Sequence, residues 1–167
     1  MKLHGIIFNF PSELKALIAV FLAVLSVGFF TGLNFVNNTT SMNAQGVERN
    51  YLGNEDDENA EIMKFKKNER EMLTLIHNHI LSLSVIFFLV AVILSTTSIH
   101  MGWKLFLMLE PFLSLILTFG GLYIMWLGVN WFKYIVMLSG ILMTFCYVSS
   151  IIIIFKQLYF TNNKAVI

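Results

Sequence analysis

Charged residues are scarce in this chain of 167 residues, because Asp, Glu, Lys and Arg together make up only 13% of it. An ordinary soluble domain devotes about 25% of its residues to charge and is about 45–50% apolar. Here the apolar fraction is 57% and the mean hydropathy is +0.74, so the excess apolar surface must face something other than water. The composition indicates an integral membrane protein and, at this length, a single small helical unit.

Cysteine is nearly absent, since Cys146 is the only one. It lies inside an apolar run, which excludes an intramolecular disulfide framework and a cysteine-based zinc cluster. We expect it to be a small hydrophobic residue that faces the core or the lipid. The eleven basic and ten acidic residues nearly cancel, so no overall field favours nucleic acid as a partner.

Catalytic motifs are missing as well. The sequence contains no Walker loop, no Gly-x-Ser-x-Gly elbow, no His-Glu-x-x-His and no Cys-x-x-Cys, the patterns that bring reacting groups together in many enzyme families. We therefore expect a non-enzymatic protein. The two halves of the chain also lack the internal similarity of an inverted-repeat transporter.

Long apolar segments are abundant. Four of them, residues 14–36, 77–98, 104–128 and 132–155, reach the length of about 20 helical residues that the hydrocarbon core of a bilayer requires. The first is interpreted as a span rather than a signal peptide, because its apolar run is too long and no Ala-x-Ala site follows. The sequence predicts an all-α, integral membrane four-helix bundle that forms one domain over residues 1–167.

The long connection over residues 37–76 divides into two parts. Residues 37–54 are rich in Asn, Thr and Gly and are predicted to be irregular. From Asn54, an N-cap residue followed by four acids, we expect a helix that extends the second span outward. Its apolar face recurs at helical spacing and comprises Ile62, Phe65, Met72, Ile76 and His79. Such an extension lies on the membrane surface or docks on a partner.

Two histidines, His77 and His79, enter the second span from this connection. Positions two apart on a helix point about 200° away from one another, so we expect His79 to face the bundle and His77 to face the interface. Other helices bring polar groups and sulfur to the same depth, namely Asn34, Tyr123, Met125, Tyr134 and Met137.

Imidazole with thioether suits copper or haem iron, whereas imidazole with phenol and amide suits a hydrogen-bond network or a quinone. His77 and His79 are therefore candidate cofactor-binding residues for haem b or copper, with His79 and Met137 as candidate metal ligands. The alternative is that these interfacial groups only satisfy one another.

Glu110 is an acid inside the third span, directly followed by Pro111. It lies six residues beyond Lys104, roughly 9 Å along a helix, so its side chain could bend back to the headgroups. Alternatively, Glu110 belongs to an ion pathway as a proton or cation site in the bundle, where Pro111 leaves a backbone carbonyl free.

Small residues indicate where helices could touch. Gly28 and Gly32 form a Gly-x-x-x-Gly pair in the first span, and such pairs permit close backbone approach. Gly120, Gly121, Ser139 and Gly140 could do the same in the last two spans. The contacts would serve packing within the chain or association with other membrane subunits or a second copy, in addition to the lipid bilayer itself.

Three runs of sequence carry a resemblance: Tyr51–Glu55 (YLGNE), Met63–Phe65 (MKF) and Glu71–His79 (EMLTLIHNH). Ahead of spans two to four, they resemble a group of bacterial four-span inner-membrane proteins of unknown activity, with a His-x-His motif at the start of the second span. The resemblance implies that the connection and the histidines belong to one unit, and it supplies no catalytic residues.

An even number of spans places both termini on one side of the membrane. Basic residues near the spans number five on that side and six on the other, so the positive-inside rule decides nothing. Because eight acids dilute the basic residues of the long connection, we place both termini in the cytoplasm and the chain in a bacterial inner membrane.

The leading functional hypothesis is an accessory or structural subunit of a membrane assembly. One alternative is a haem- or copper-binding membrane protein for electron transfer or metal handling around His77 and His79. The other is a small ion or proton transporter that uses Glu110.

Overall fold

A computed structural model describes residues 3–55, 57, 60 and 62–160. A 3-10 turn, Ile6–Asn9, precedes helices α1 (Ser12–Thr40), α2 (Ala44–Leu52), α3 (Glu69–Ser95), α4 (Met101–Trp126) and α5 (Phe132–Phe155), and α5 ends in a π-helical turn, Lys156–Phe160. Helices α1, α3, α4 and α5 are long and apolar enough to cross a membrane. The prediction of an all-α membrane bundle is confirmed.

Helix α4 is the centre of the bundle, because α3 and α5 both pack against it. One apolar core joins all four long helices, and its wholly buried members include Leu22 on α1, Leu94 on α3, Met125 on α4 and Ile154 on α5. In a membrane the alternative environment for these side chains is lipid, so their contacts stabilise the bundle through van der Waals packing. The buried polar side chains of α4 are held in place by its packing against α3 and α5.

Helix α1 lies at the edge of the bundle. Of its 29 residues only Ile18, Leu22 and Thr40 are buried. Aromatic stacking attaches it to α5, with the Phe29 and Tyr147 rings 3.9 Å apart between centroids. Most of the apolar surface of α1 is therefore left for lipid or for another protein.

The glycines predicted to mediate helix contacts differ in how closely other helices approach them. Gly121 of α4 lies so close to α5 that an added Cβ would be 3.0 Å from Val136 Cγ2, as expected for a packing glycine. A Cβ added at Gly28 or Gly32 would meet nothing within 4 Å. The Gly28–Gly32 pair therefore does not serve packing against any residue that the structure describes.

The prediction that residues 37–54 are irregular is wrong. Helix α1 continues to Thr40, two residues with positive φ reverse the chain, and Asn43 then begins α2. The Asn43 side chain accepts a hydrogen bond from the Gly46 N–H at 2.7 Å, which is a true N-cap. The nine residues of α2 bury only Val47, so its sequence shows little apolar periodicity.

The prediction that a helix begins at Asn54 is also wrong. The Asn54 side chain closes a loop, because it accepts from the Lys64 N–H at 2.6 Å and donates to the Ile62 carbonyl at 3.0 Å. The Asn54 side chain accepts the kind of backbone hydrogen bond that would cap a helix, but the donor lies ten residues further along the chain. Two of the four acids predicted for the first turn, at positions 56 and 58, lie outside the described residues.

Helix α3 begins instead at a second cap. Asn68 and Glu71 form a reciprocal capping box, in which each side chain accepts from the other backbone N–H at 2.9 Å. The extension of the second span is real but only about two turns long. At the opposite end α3 stops at Ser95, three residues before the predicted end of the span.

Candidate functional site

The two histidines of the predicted cofactor site lie on α3, close to its start. His79 Nδ1 is 2.8 Å from the Leu75 carbonyl oxygen, and the imidazole stacks on Phe119 of α4 with ring centroids 4.8 Å apart. His79 thus contacts α4, but both it and His77 are exposed. His79 faces the bundle without being buried in it, because the stack covers one ring face only.

The groups predicted at the depth of His79 are dispersed. Met137 is half-buried against the apolar core, Asn34 is exposed, and Tyr123 stacks on Trp126 with centroids 5.7 Å apart. Over residues 3–55 and 62–160, no group of three or more His, Cys, Asp or Glu could hold a metal ion. Haem or copper at His77, His79 and Met137 stays a prediction.

Glu110 is a buried carboxyl inside the bundle. Its residue exposure is 7%, and it faces α5 from the middle of α4. The Ser114 hydroxyl, one helical turn further on, donates a hydrogen bond to Glu110 Oε1, and the Cys146 thiol of α5 interacts with the same carboxyl. Glu110 Oε2 is buried and has no hydrogen-bond partner among the described residues. The side chain does not bend back to the headgroups.

Further polar groups continue along the contact between α4 and α5. Thr118 follows Ser114 on the same face of α4, and its hydroxyl is 2.8 Å from that of Ser139 on α5. All three side chains are buried. Positions 110, 114 and 118 share one helix face and extend about 12 Å along the helix axis. A row of polar groups therefore lies inside the membrane-spanning part.

Lys104 is buried as well, at the end of the bundle where α1 begins and α3 ends. Its ammonium donates to the Thr97 carbonyl at 2.5 Å and to the Ser95 carbonyl at 3.1 Å, and it lies 3.5 Å from His4 Nδ1. The Ser95 carbonyl belongs to the last residue of α3 and the Thr97 carbonyl follows two residues later, so neither has a partner within the helix. Lys104 caps α3, a role that the sequence analysis missed.

The opposite end of the bundle is closed by Trp126. Its indole N–H donates to the Lys67 carbonyl at 2.7 Å, and the Lys66 ammonium lies 5.0 Å from its ring centroid. The Lys64 ammonium donates to the Thr39 carbonyl at 2.6 Å, near the end of α1. Residues 64–67 are thereby fastened to α1 and α4, although they are not helical.

Helix α2 is held against this end by an ion pair and a backbone hydrogen bond. Lys133 of α5 pairs with Glu48 of α2, and the Lys67 N–H donates to the Tyr51 carbonyl at 3.1 Å. Burial raises the pKa of the Tyr51 phenol above its ordinary value, while a hydrogen bond with Asn50 lowers it by less. Helix α2 and residues 64–67 of the long connection therefore cover this end of the bundle.

The four apolar spans, with α4 at their centre, define a multi-pass helical membrane protein. A family model described as a transmembrane helical domain matches residues 41–165, and the chain belongs to this family. The matched residues take in α2 to α5 and leave out α1. No curated protein and no solved structure matches the chain. The resemblance to a transmembrane family is confirmed at this level.

Proposed function

We propose that this chain is a non-enzymatic, accessory or structural subunit of an assembly in a bacterial inner membrane, with both termini in the cytoplasm. The observation that carries the proposal is the open surface of α1. This helix spans the membrane but buries only three of its residues in its own chain, and it precedes the matched family domain. We also propose that members of the family share the four spans and the His-x-His motif near the start of α3.

A partner helix would sit on the Gly28–Gly32 face of α1. Small residues four apart let a second helix backbone approach closely, which is how helices associate where lipid removes the hydrophobic driving force. Large apolar side chains flank the glycines: Val24, Val27 and Phe35 are all more than 60% exposed. The glycines themselves have free space above them.

The test is the size of the complex extracted from native membranes in mild detergent. We expect wild-type protein to migrate with partner chains and the double variant Gly28→Ile, Gly32→Ile to run as the free chain. The fold should be spared, since an added Cβ at either position meets nothing within 4 Å. Gly140→Ile is the matched control, because Gly140 also faces open space, on α5. A single monodisperse chain in the wild-type sample would contradict the proposal.

Transport through Glu110 is the second candidate, favoured by the unpartnered Oε2 atom inside the bundle. Buried carboxyls in membrane spans often mark ion or proton paths, and Ser114, Thr118 and Ser139 prolong the polar row. We expect vesicles that contain the protein to dissipate a pH gradient faster than empty vesicles do, and Glu110→Gln to abolish the difference. Equal rates with wild-type protein and empty vesicles would remove this candidate.

A further inference from the structure

We infer that Glu110 Oε2 is a proton-binding site inside the membrane, formed by the Glu110 carboxyl, the Ser114 hydroxyl and the Cys146 thiol. This carboxyl is the one that the transport candidate uses. The inference rests on that proposed function only for the purpose of the bound proton. Its ligand is a proton rather than a metal cation. It applies equally if the chain is a structural subunit.

The depth of Glu110 is the first step. It lies seven residues from Trp103 and sixteen from Trp126, the aromatic residues near the two ends of α4. At helical rise these separations are about 10 Å and 24 Å, which places the carboxyl within a hydrocarbon layer about 30 Å thick. An ionised carboxylate at this depth is strongly unfavourable unless a cation neutralises it.

The part of the chain that the structure describes supplies no such cation. Within residues 3–55 and 62–160, Glu110 forms no salt bridge, and Lys104, the nearest lysine on α4, is engaged with carbonyls at the end of α3. Residues 80–95 of α3 and 16–36 of α1 contain no titratable side chain. The membrane-spanning part of α5 offers Cys146, and Tyr147, whose hydroxyl lies by Ser26.

The ligand set favours a proton over a metal ion. Hard cations take several oxygen ligands, but beside Oε2 the side chains at the site offer only the Ser114 hydroxyl, which already donates to Oε1, and a thiol. A proton needs one oxygen. Pro111 lacks the N–H that would bond to the Leu107 carbonyl in a regular helix, so that carbonyl, three residues before Glu110, loses its regular donor.

Infrared spectroscopy of the protein in lipid vesicles tests the inference directly. We expect the carbonyl stretching band of a protonated carboxylic acid in wild-type protein at a pH where water-exposed carboxyls are ionised, and its loss in Glu110→Gln. Glu13→Gln, which removes an exposed acid from the first turn of α1, should leave the band unchanged. A band absent from wild type, or still present in Glu110→Gln, would overturn the inference.

A second measurement needs no variant. A lipid-soluble carbodiimide adds to protonated carboxyls, so we expect it to modify Glu110 in vesicles, detected by peptide mass spectrometry. Modification of exposed acids alone would count against the inference. Stoichiometric binding of radioactive sodium that Glu110→Gln abolishes would replace the proton by a metal cation. A wild-type band without proton flux would end the transport candidate and leave the proton site standing.

Discussion

Gly46→Ala is expected to destabilise the protein by about 3 kcal/mol, the upper range for forced overpacking. An added Cβ at this position would stand 1.8 Å from the Thr40 carbonyl oxygen and 2.6 Å from the Thr40 carbonyl carbon. Both atoms are backbone, so the reversal between α1 and α2 would have to open. The N-cap hydrogen bond from the Gly46 N–H to Asn43 would be strained with it.

Helix propensity alone predicts the opposite sign, because alanine stabilises a helix interior by about 1 kcal/mol relative to glycine. Gly140→Ala isolates that contribution, since an added Cβ there meets nothing within 4 Å. The free energy of unfolding in mixed detergent micelles measures both variants. A Gly46→Ala variant as stable as Gly140→Ala would show that α2 does not pack against Thr40 as described.

Lys104→Met is expected to cost about 1.5–3 kcal/mol, the range for hydrogen bonds to a charged group. Methionine matches the length of the lysine side chain but cannot donate to the Thr97 and Ser95 carbonyls. The N-terminal 3-10 turn should loosen as well, because the Gly5 N–H bonds to the Thr97 carbonyl. We therefore expect proteolysis near the start of the chain to accelerate.

Arg70→Met is the matched control for Lys104→Met. It also replaces a basic residue by methionine, but Arg70 is exposed in the first turn of α3, where a positive charge opposes the helix dipole. Its unfolding free energy should stay within about 0.5 kcal/mol of wild type, as for other surface substitutions. Equal stability of Lys104→Met and wild type would show that the carbonyls at the end of α3 find other donors.

The spans were predictable from sequence because hydropathy reports the solvent of each segment directly. The predicted fourth span, residues 132–155, coincides with α5, and the ends of the others differ by a few residues. The long connection was not predictable, because two asparagines, Asn54 and Asn68, carry the same capping signal. Only the contact between Asn54 and Lys64 across the loop decides between them.

The candidate site, too, could be predicted from the sequence only in part. That Glu110 lies inside a span follows from its position in an apolar run. Its neighbour Cys146 and the pairing of Thr118 with Ser139 depend on the register between α4 and α5, which hydropathy does not report. Lys104 was expected only to mark the start of a span, because its acceptors are backbone carbonyls and leave no pattern in the sequence.

Labelling of single cysteines with a membrane-impermeant maleimide tests the four-span arrangement most directly. In a Cys146→Ala background the cysteines would replace four exposed residues, Leu3 and Ser98 at one end of the bundle and Ile62 and Asn130 at the other. We expect Ile62→Cys and Asn130→Cys to react in intact spheroplasts, and Leu3→Cys and Ser98→Cys only after permeabilisation. Labelling of Leu3→Cys and Ile62→Cys from the same side would contradict the account.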